Sequence, residues 1–262
     1  MVVRILGAGT SNGVPVVACS CPVCCSADPR NSRTRASVLV TAGDTCILID
    51  TATEFRLQAR QAGISSLSAI FFTHAHADHL HGLDDIRPLT YKTPLDLYAA
   101  PATLREIQER FSYIFKTQKL GGGVPRVNLR ELDSVPVKCG HLEVIPVPLL
   151  HGMMPINGYR IGSFAYLTDC SSIPSRSYSL LKNLDVLVID ALRYKTHPTH
   201  FNVAQALKEI ERIAPRRAFL THMCHDLEYC ELAASLPVGV APAYDGLEIV
   251  IESAGDGPSA GA

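Results

Sequence analysis

Short apolar runs rich in Val, Ile, Leu and Phe recur along the chain, each closed by Gly, Pro, Asp or Thr. Such runs, bounded by turn formers, read as buried or half-buried strands. They predict strands over Val2–Leu6, Ser37–Val40, Cys46–Asp50, Ala69–Thr73, Leu95–Ala99 and Leu142–Leu149. Further strands are predicted at Tyr159–Ile161, Phe164–Thr168, Val186–Asp190, Arg217–Leu220 and Leu247–Ile251. A helical pattern appears instead over Glu54–Ala62, Ala102–Phe115, Asn202–Ile213 and Glu228–Ala234. Thr53 is a candidate cap for the first helix, and Pro215 closes the third. A strand-dense beginning, followed by helices alternating with strands, predicts two sheets flanked by helices, an α/β sandwich in layers. No repeat or composition shift divides the 262 residues, so one domain is expected over 1–252, with a Gly/Ser/Ala tail at 253–262.

Composition narrows the partners. The 24 basic and 25 acidic residues nearly balance, which leaves no broad field for nucleic acid or anionic lipid. Hydrophobic residues make up 47% and charged ones 19%, a mixture suited to a sizeable core, and no apolar run approaches a membrane span. Met1–Leu6 reads as an opening strand, too short and too interrupted by Arg4 for a signal-peptide core. The nine cysteines then read as metal-binding or buried thiols in a reducing compartment, and a cytoplasmic location is expected.

The chemistry concentrates in Thr73-His74-Ala75-His76-Ala77-Asp78-His79, directly after the apolar run Ala69–Phe72. Three imidazoles and a carboxylate at the mouth of a buried strand make a poor structural element but a good metal cradle. The pattern offers two separately directed pairs, His74/His76 and Asp78/His79, which suits two cations side by side activating a water. Other strand ends supply more donors: His151 after Leu149-Leu150, Asp169 after Leu167-Thr168, and His222 after Leu220-Thr221. Each is weak alone, since a strand-end Asp is more often a turn or cap residue. Together they repeat one device, a strand followed at once by a ligand.

Cys19, Cys21 and Cys24 form a second cluster with C-x-C-x2-C spacing, able to hold Zn²⁺ if a fourth ligand arrives from elsewhere. Cys25, Cys224 and His225 are the candidates, and spacing does not decide among them.

With these residues the chain resembles the metallo-β-lactamase superfamily, which implies a four-layer αββα sandwich with metals at one edge. By that resemblance one cation takes His74, His76, His151 and Asp169, and the other takes Asp78, His79, Asp169 and His222. The cysteine insertion, the opening Leu6–Pro15 and the closing Ala243–Ile249 resemble the phosphoribosyl cyclic phosphodiesterases of the carbon–phosphorus lyase route of phosphonate breakdown. That likeness implies His225 as the fourth ligand of a structural Zn²⁺, two active-site cations (Mn²⁺ or Zn²⁺), a small phosphodiester substrate and a homodimer. It also implies catalytic roles for His200, as general acid, and for Asp78.

Asp50 reads as a residue orienting ligand imidazoles, Cys170 as a small neighbour of Asp169, and His81, His141 and His197 as structural or surface residues. Asp190 and Arg193 follow another strand end, and the sequence leaves their place open. Two rival readings remain. A tRNA 3′-processing endonuclease would want clustered basic residues, and Lys182, Lys195 and Lys208 are scattered. A persulfide dioxygenase would share the histidine motif but use a single iron.

Overall fold

A computed structural model describes residues 1–116, 123–133 and 135–252. The expected tail at 253–262 lies outside the described residues. One sheet takes β1 (Val2–Gly7), β2 (Ser37–Ala42), β3 (Thr45–Ile49), β4 (Ala69–Phe71), β5 (Leu95–Ala99) and β6 (Val127–Glu131). The second takes β7 (Val137–Cys139), β8 (Leu142–His151), β9 (Met154–Ile161), β10 (Phe164–Leu167), β11 (Val186–Asp190), β12 (Arg217–Thr221) and β13 (Val240–Pro242). The last strand, β14 (Glu248–Val250), returns to the first sheet and pairs antiparallel with β1. Hairpins build the antiparallel part of each sheet, whereas β3 to β6 and β10 to β13 run parallel.

Alternation along the strands explains the layering. Ile5, Val38, Ile47 and Phe71 point inward and join Val147, Tyr159, Tyr166 and Val188 of the second sheet in one core. Their neighbours Leu48, Ile70, Phe72 and Leu97 point outward, where Phe55 of helix α1 (Phe55–Ala62) covers them. The histidine motif runs into α2 (Ala77–Leu80), followed by a 3₁₀ helix over His81–Thr90, and Leu104 and Ile107 of α3 (Pro101–Arg110) complete this outer layer. On the other side α4 (Val203–Ile213) packs Val203, Ala206, Ile210 and Ile213 onto the second sheet, with α5 (Tyr229–Ser235) beyond it. Helix, sheet, sheet, helix is the expected sandwich.

Three local expectations change. Thr53 does not cap α1; Glu54 takes that position without a capping bond, because its carboxylate is engaged by the backbone N–H and guanidinium of Arg35. The expected helix Ala102–Phe115 starts at Pro101 and breaks after Arg110, continuing as 3₁₀ turns over Ser112–Phe115. Strands β6, β7 and β13 escaped the apolar-run criterion because each lies at or next to a sheet edge and is short or half-exposed. By contrast α4 begins as its sequence suggests. Asn202 Oδ1 accepts from Gln205 N (2.8 Å), and Gln205 Oε1 accepts from Asn202 N (3.0 Å), a reciprocal cap.

Candidate metal centre

Strand ends bring the donors together. His74 follows β4, His151 ends β8, Asp169 follows β10 and His222 follows β12, while His76, Asp78 and His79 lie in the turn that opens α2. Asp169 and His222 both adopt left-handed backbone (φ 55° and 57°), as does Asp50 (φ 63°) after β3. A non-glycine residue in that region costs about 1–3 kcal/mol where it is strained, so the surrounding fold holds these turns in place. The result is two adjoining sets. His74, His76 and His151 each place a ring nitrogen within 4.8 Å of the others, and Asp78, His79, Asp169 and His222 do the same with four donors.

Asp169 stands between imidazoles, with Oδ2 3.0 Å from His79 Nε2 and Oδ1 3.1 Å from His222 Nε2. Yet His74 Nε2, His79 Nε2 and His222 Nε2 are all buried without a hydrogen-bond partner. Buried polar atoms are rarely left so. Nitrogens and carboxylate oxygens that crowd without bonding share a point beyond themselves, as metal ligands do. Charge agrees. Burial opposes protonation of His222, but the Asp169 carboxylate outweighs it and lifts the imidazole to about 9. His79 is likewise driven well above the ordinary imidazole range, against its burial, by Asp169 and Asp78. The carboxylates call for positive charge at these nitrogens, and divalent cations with N/O ligands fit that demand.

The opposite ring nitrogens are tied down. Asp50, fully buried, accepts from His79 Nδ1 through Oδ2 (2.7 Å) and from Thr73 Oγ1 and N (2.8 Å each). The Thr73 hydroxyl, having donated to Asp50, accepts from His74 Nδ1 (2.9 Å). One carboxylate thus sets the tautomer of an imidazole in each set, the orienting role expected of Asp50. His151 Nδ1 donates to the Thr199 carbonyl (2.8 Å), leaving Nε2 for the centre.

His200 packs beside this centre, its ring centroid 4.6 Å from that of His151 and 4.8 Å from that of His222. Its Nδ1 lies 2.9 Å from Asp190 Oδ2. Burial, seconded by His222, pushes His200 down to about 4, and burial raises the Asp190 carboxyl well above its usual range. Both shifts favour the uncharged forms, and with Asp190 Oδ2 donating to Nδ1 the ring proton of His200 would sit on Nε2. Asp190 is the participant that sequence left open. Its only signal was an aspartate closing the run Val186–Ile189, which is also how Asp50 closes Cys46–Ile49.

The remaining histidines stay outside. His141 sits exposed in a turn 3.4 Å from Asp44, and His81 is exposed with its ring edge-on to Phe111. Cys170 is buried directly behind Asp169.

In the cysteine segment, the sulfurs of Cys19, Cys21 and Cys24 lie 3.3, 3.6 and 3.4 Å from His225 Nδ1. These four are brought together. Cys25 is exposed, and Cys224 accepts from the Asp226 N–H instead. Backbone N–H groups of Cys24 and Val16 donate to the sulfurs of Cys21 (3.4 Å) and Cys24 (3.3 Å). The first of these bonds leads in lowering the Cys21 thiol to about 7, a step toward the thiolate that zinc requires, whereas burial leads in raising the Cys24 thiol to about 11. Arg33, fully buried, donates to the carbonyls of Cys224 (3.0 Å) and Leu227 (2.6 Å) and fixes the turn that carries His225.

The β-lactamase superfamily domain matches residues 45–223. A Porphyromonas gingivalis protein described as an octanoyltransferase is 40% identical over 258 residues, 96% of this chain and 52% of that protein. The chain thus spans about half the length of that relative. A solved structure described as a new diphosphatase from the PhnP family is 41% identical, with a TM-score of 0.90 over 96% of this chain and 98% of that one. Two others share the fold. Zn²⁺-bound PqqB from Methylobacterium extorquens is 20% identical (TM-score 0.75; 96% and 100% covered). The short form of human tRNase Z is 22% identical (TM-score 0.69; 97% and 100% covered).

Proposed function

The chain belongs to the metallo-β-lactamase superfamily, and we propose that it is a metal-dependent phosphoester hydrolase that cleaves a small phosphodiester, of the kind of phosphoribosyl cyclic phosphate. The observation that carries this is the pair of adjoining donor sets, with Asp169 between His79 and His222 of one set and grouped also with His151 of the other. In this reading His74, His76, His151 and Asp169 hold one divalent cation, Mn²⁺ or Zn²⁺, and Asp78, His79, Asp169 and His222 hold the other. Together such cations supply a water activated near neutral pH and positive charge at the phosphoryl oxygens.

The protein's own groups do the rest. Asp50 and Thr73 keep the ligand imidazoles in one tautomer, so the centre needs no rearrangement as charge develops. His200 gives its Nε2 proton to the departing alkoxide, and the proton of Asp190 Oδ2 moves to Nδ1 as the imidazole loses the first. The imidazole ends neutral with its proton on Nδ1, facing an Asp190 carboxylate that accepts it. Asp169, Asp78 and the imidazoles form a donor set suited to divalent cations, whereas the octanoyltransferase name goes with a protein about twice as long.

Turnover of a phosphodiester panel by metal-analysed protein tests the reading. The panel holds 5-phosphoribosyl 1,2-cyclic phosphate, 2′,3′-cyclic nucleotides and bis-p-nitrophenyl phosphate, with a nucleoside diphosphate sugar added. Cleavage of a cyclic ester with about three cations per chain is expected. The diphosphate is included because of the PhnP-family diphosphatase, and its faster cleavage would move the reaction from ester to anhydride. No turnover together with a single iron would favour the dioxygenase, and cleavage confined to precursor tRNA would favour the endonuclease.

The third cation is assigned to Cys19, Cys21, Cys24 and His225 as structural Zn²⁺. Cys24→Ser is expected to lose one zinc equivalent and to lower the thermal midpoint by about 5 °C or more, read by elemental analysis and calorimetry. An unchanged zinc content would remove the assignment.

A further inference from the structure

We infer that His197, which lies outside both donor sets, recognises the leaving-group side of the substrate by donating a hydrogen bond from Nε2 to one of its oxygens. This rests on the hydrolysis proposed above. The imidazoles of His222, His200 and His197 form a row leading out of the centre, with successive ring centroids 4.8 and 5.1 Å apart. His200 is the proton donor, so the position beyond it belongs to whatever the leaving oxygen is attached to.

The direction of the ring is set by the chain. His197 Nδ1 accepts from the backbone N–H of Thr199 (3.3 Å) and lies 3.2 Å from its hydroxyl. A backbone N–H can only donate, so Nδ1 presents a lone pair and the proton of the neutral ring sits on Nε2. Burial, with His200 and Arg193 nearby, holds His197 below the ordinary imidazole range and keeps that ring neutral. Among the described residues, both hydrogen bonds of His197 are made at Nδ1.

The loop is a built platform. Arg193 folds back to donate to the carbonyls of Lys195 (3.3 Å) and Thr196 (3.0 Å). Asn202 Nδ2 donates to the Tyr194 carbonyl (3.1 Å), and Val203 N to that of Arg193 (3.0 Å). Thr199 orients His197 with its N–H and accepts from His151 with its carbonyl, so one residue ties the outer imidazole to the metal centre. A half-buried ring held this firmly, 5.1 Å from the ring of the proton donor, suits a hydroxyl, ring oxygen or phosphate a few bonds beyond the scissile ester. A sugar has such oxygens at that distance; a nitrophenyl ring does not.

The test compares a cyclic ribose phosphate with bis-p-nitrophenyl phosphate in wild type, His197→Ala and His197→Gln, each analysed for metal content and thermal midpoint. In His197→Ala the ratio of kcat/KM for the sugar ester to that for the aryl ester is expected to fall about 10-fold, chiefly through KM. In His197→Gln, whose side-chain amide can place an N–H near the same point, most of the ratio should return. A ratio unchanged in His197→Ala overturns the inference. So does a loss that tracks lowered metal content or an earlier melt, because His197 would then only support Thr199 and His151. Failure of the wild type to cleave either ester removes the hydrolysis on which the inference rests, and shows itself before any substitution is compared.

Discussion

Asp169→Ala lowers kcat/KM by at least about 10³-fold and strips cations from both positions of the centre. Asp169 turns Oδ2 toward His79 and Oδ1 toward His222, closer than Asp78 Oδ2 comes to the same rings (3.3 and 3.6 Å), and it shares a further group of donors with His151 of the other set and with His200. Removing it does more than delete one ligand. The Asp169 carboxylate is the leading influence favouring positive charge at His79 and His222, so its loss also removes the charge that draws cations to their nitrogens. The check is elemental analysis after dialysis, beside turnover and far-UV circular dichroism. Wild-type metal content and a loss in kcat/KM below about tenfold would show that the two donor sets act independently.

The same residue shows where sequence is readable and where it is not. His74, His76, Asp78 and His79 declare themselves because all four fall in one turn after an apolar strand. Asp169 closes a strand just as Asp50 and Asp190 do, and local sequence cannot separate a proposed ligand, an orienting carboxylate and a proposed proton relay. What separates them is position in the sheets. Asp50 lies beside β4 and meets His79, while Asp190 lies between β10 and β12 and meets His200, which the cap of α4 brings back over the strand. Family likeness pointed to Asp169 and His200, but no pattern in the chain marked Asp190. His225 presents the same problem in the other cluster. Cys224 is adjacent in sequence, yet the backbone turn after His222 sends the two side chains to different places, and Arg33 holds that turn from 191 residues away in the chain. Edge strands β6, β7 and β13 fall below legibility for a plainer reason, since a short strand with one wet side has little apolar alternation to show.

His200→Ala separates proton donation from metal chemistry. Because His200 belongs to neither four-donor set proposed for the cations, the variant should keep its metal content. Its kcat on a cyclic sugar phosphate should fall by about 10²–10⁴-fold, the range of a positioned general acid. On bis-p-nitrophenyl phosphate the fall should be far smaller, since nitrophenolate leaves without a proton. Asp190→Asn should follow the same pattern more weakly. The amide can still donate to Nδ1 and preserve the tautomer, but it has no proton to pass on when Nε2 gives up its own. This outcome also distinguishes the two outer imidazoles. Loss at His200 appears in kcat and depends on the basicity of the leaving oxygen, whereas loss at His197 appears in KM and depends on what that oxygen is attached to. Equal losses on both esters in His200→Ala, with cations retained, would mean that His200 shapes the centre without supplying the proton, and would leave the leaving group to be protonated by water.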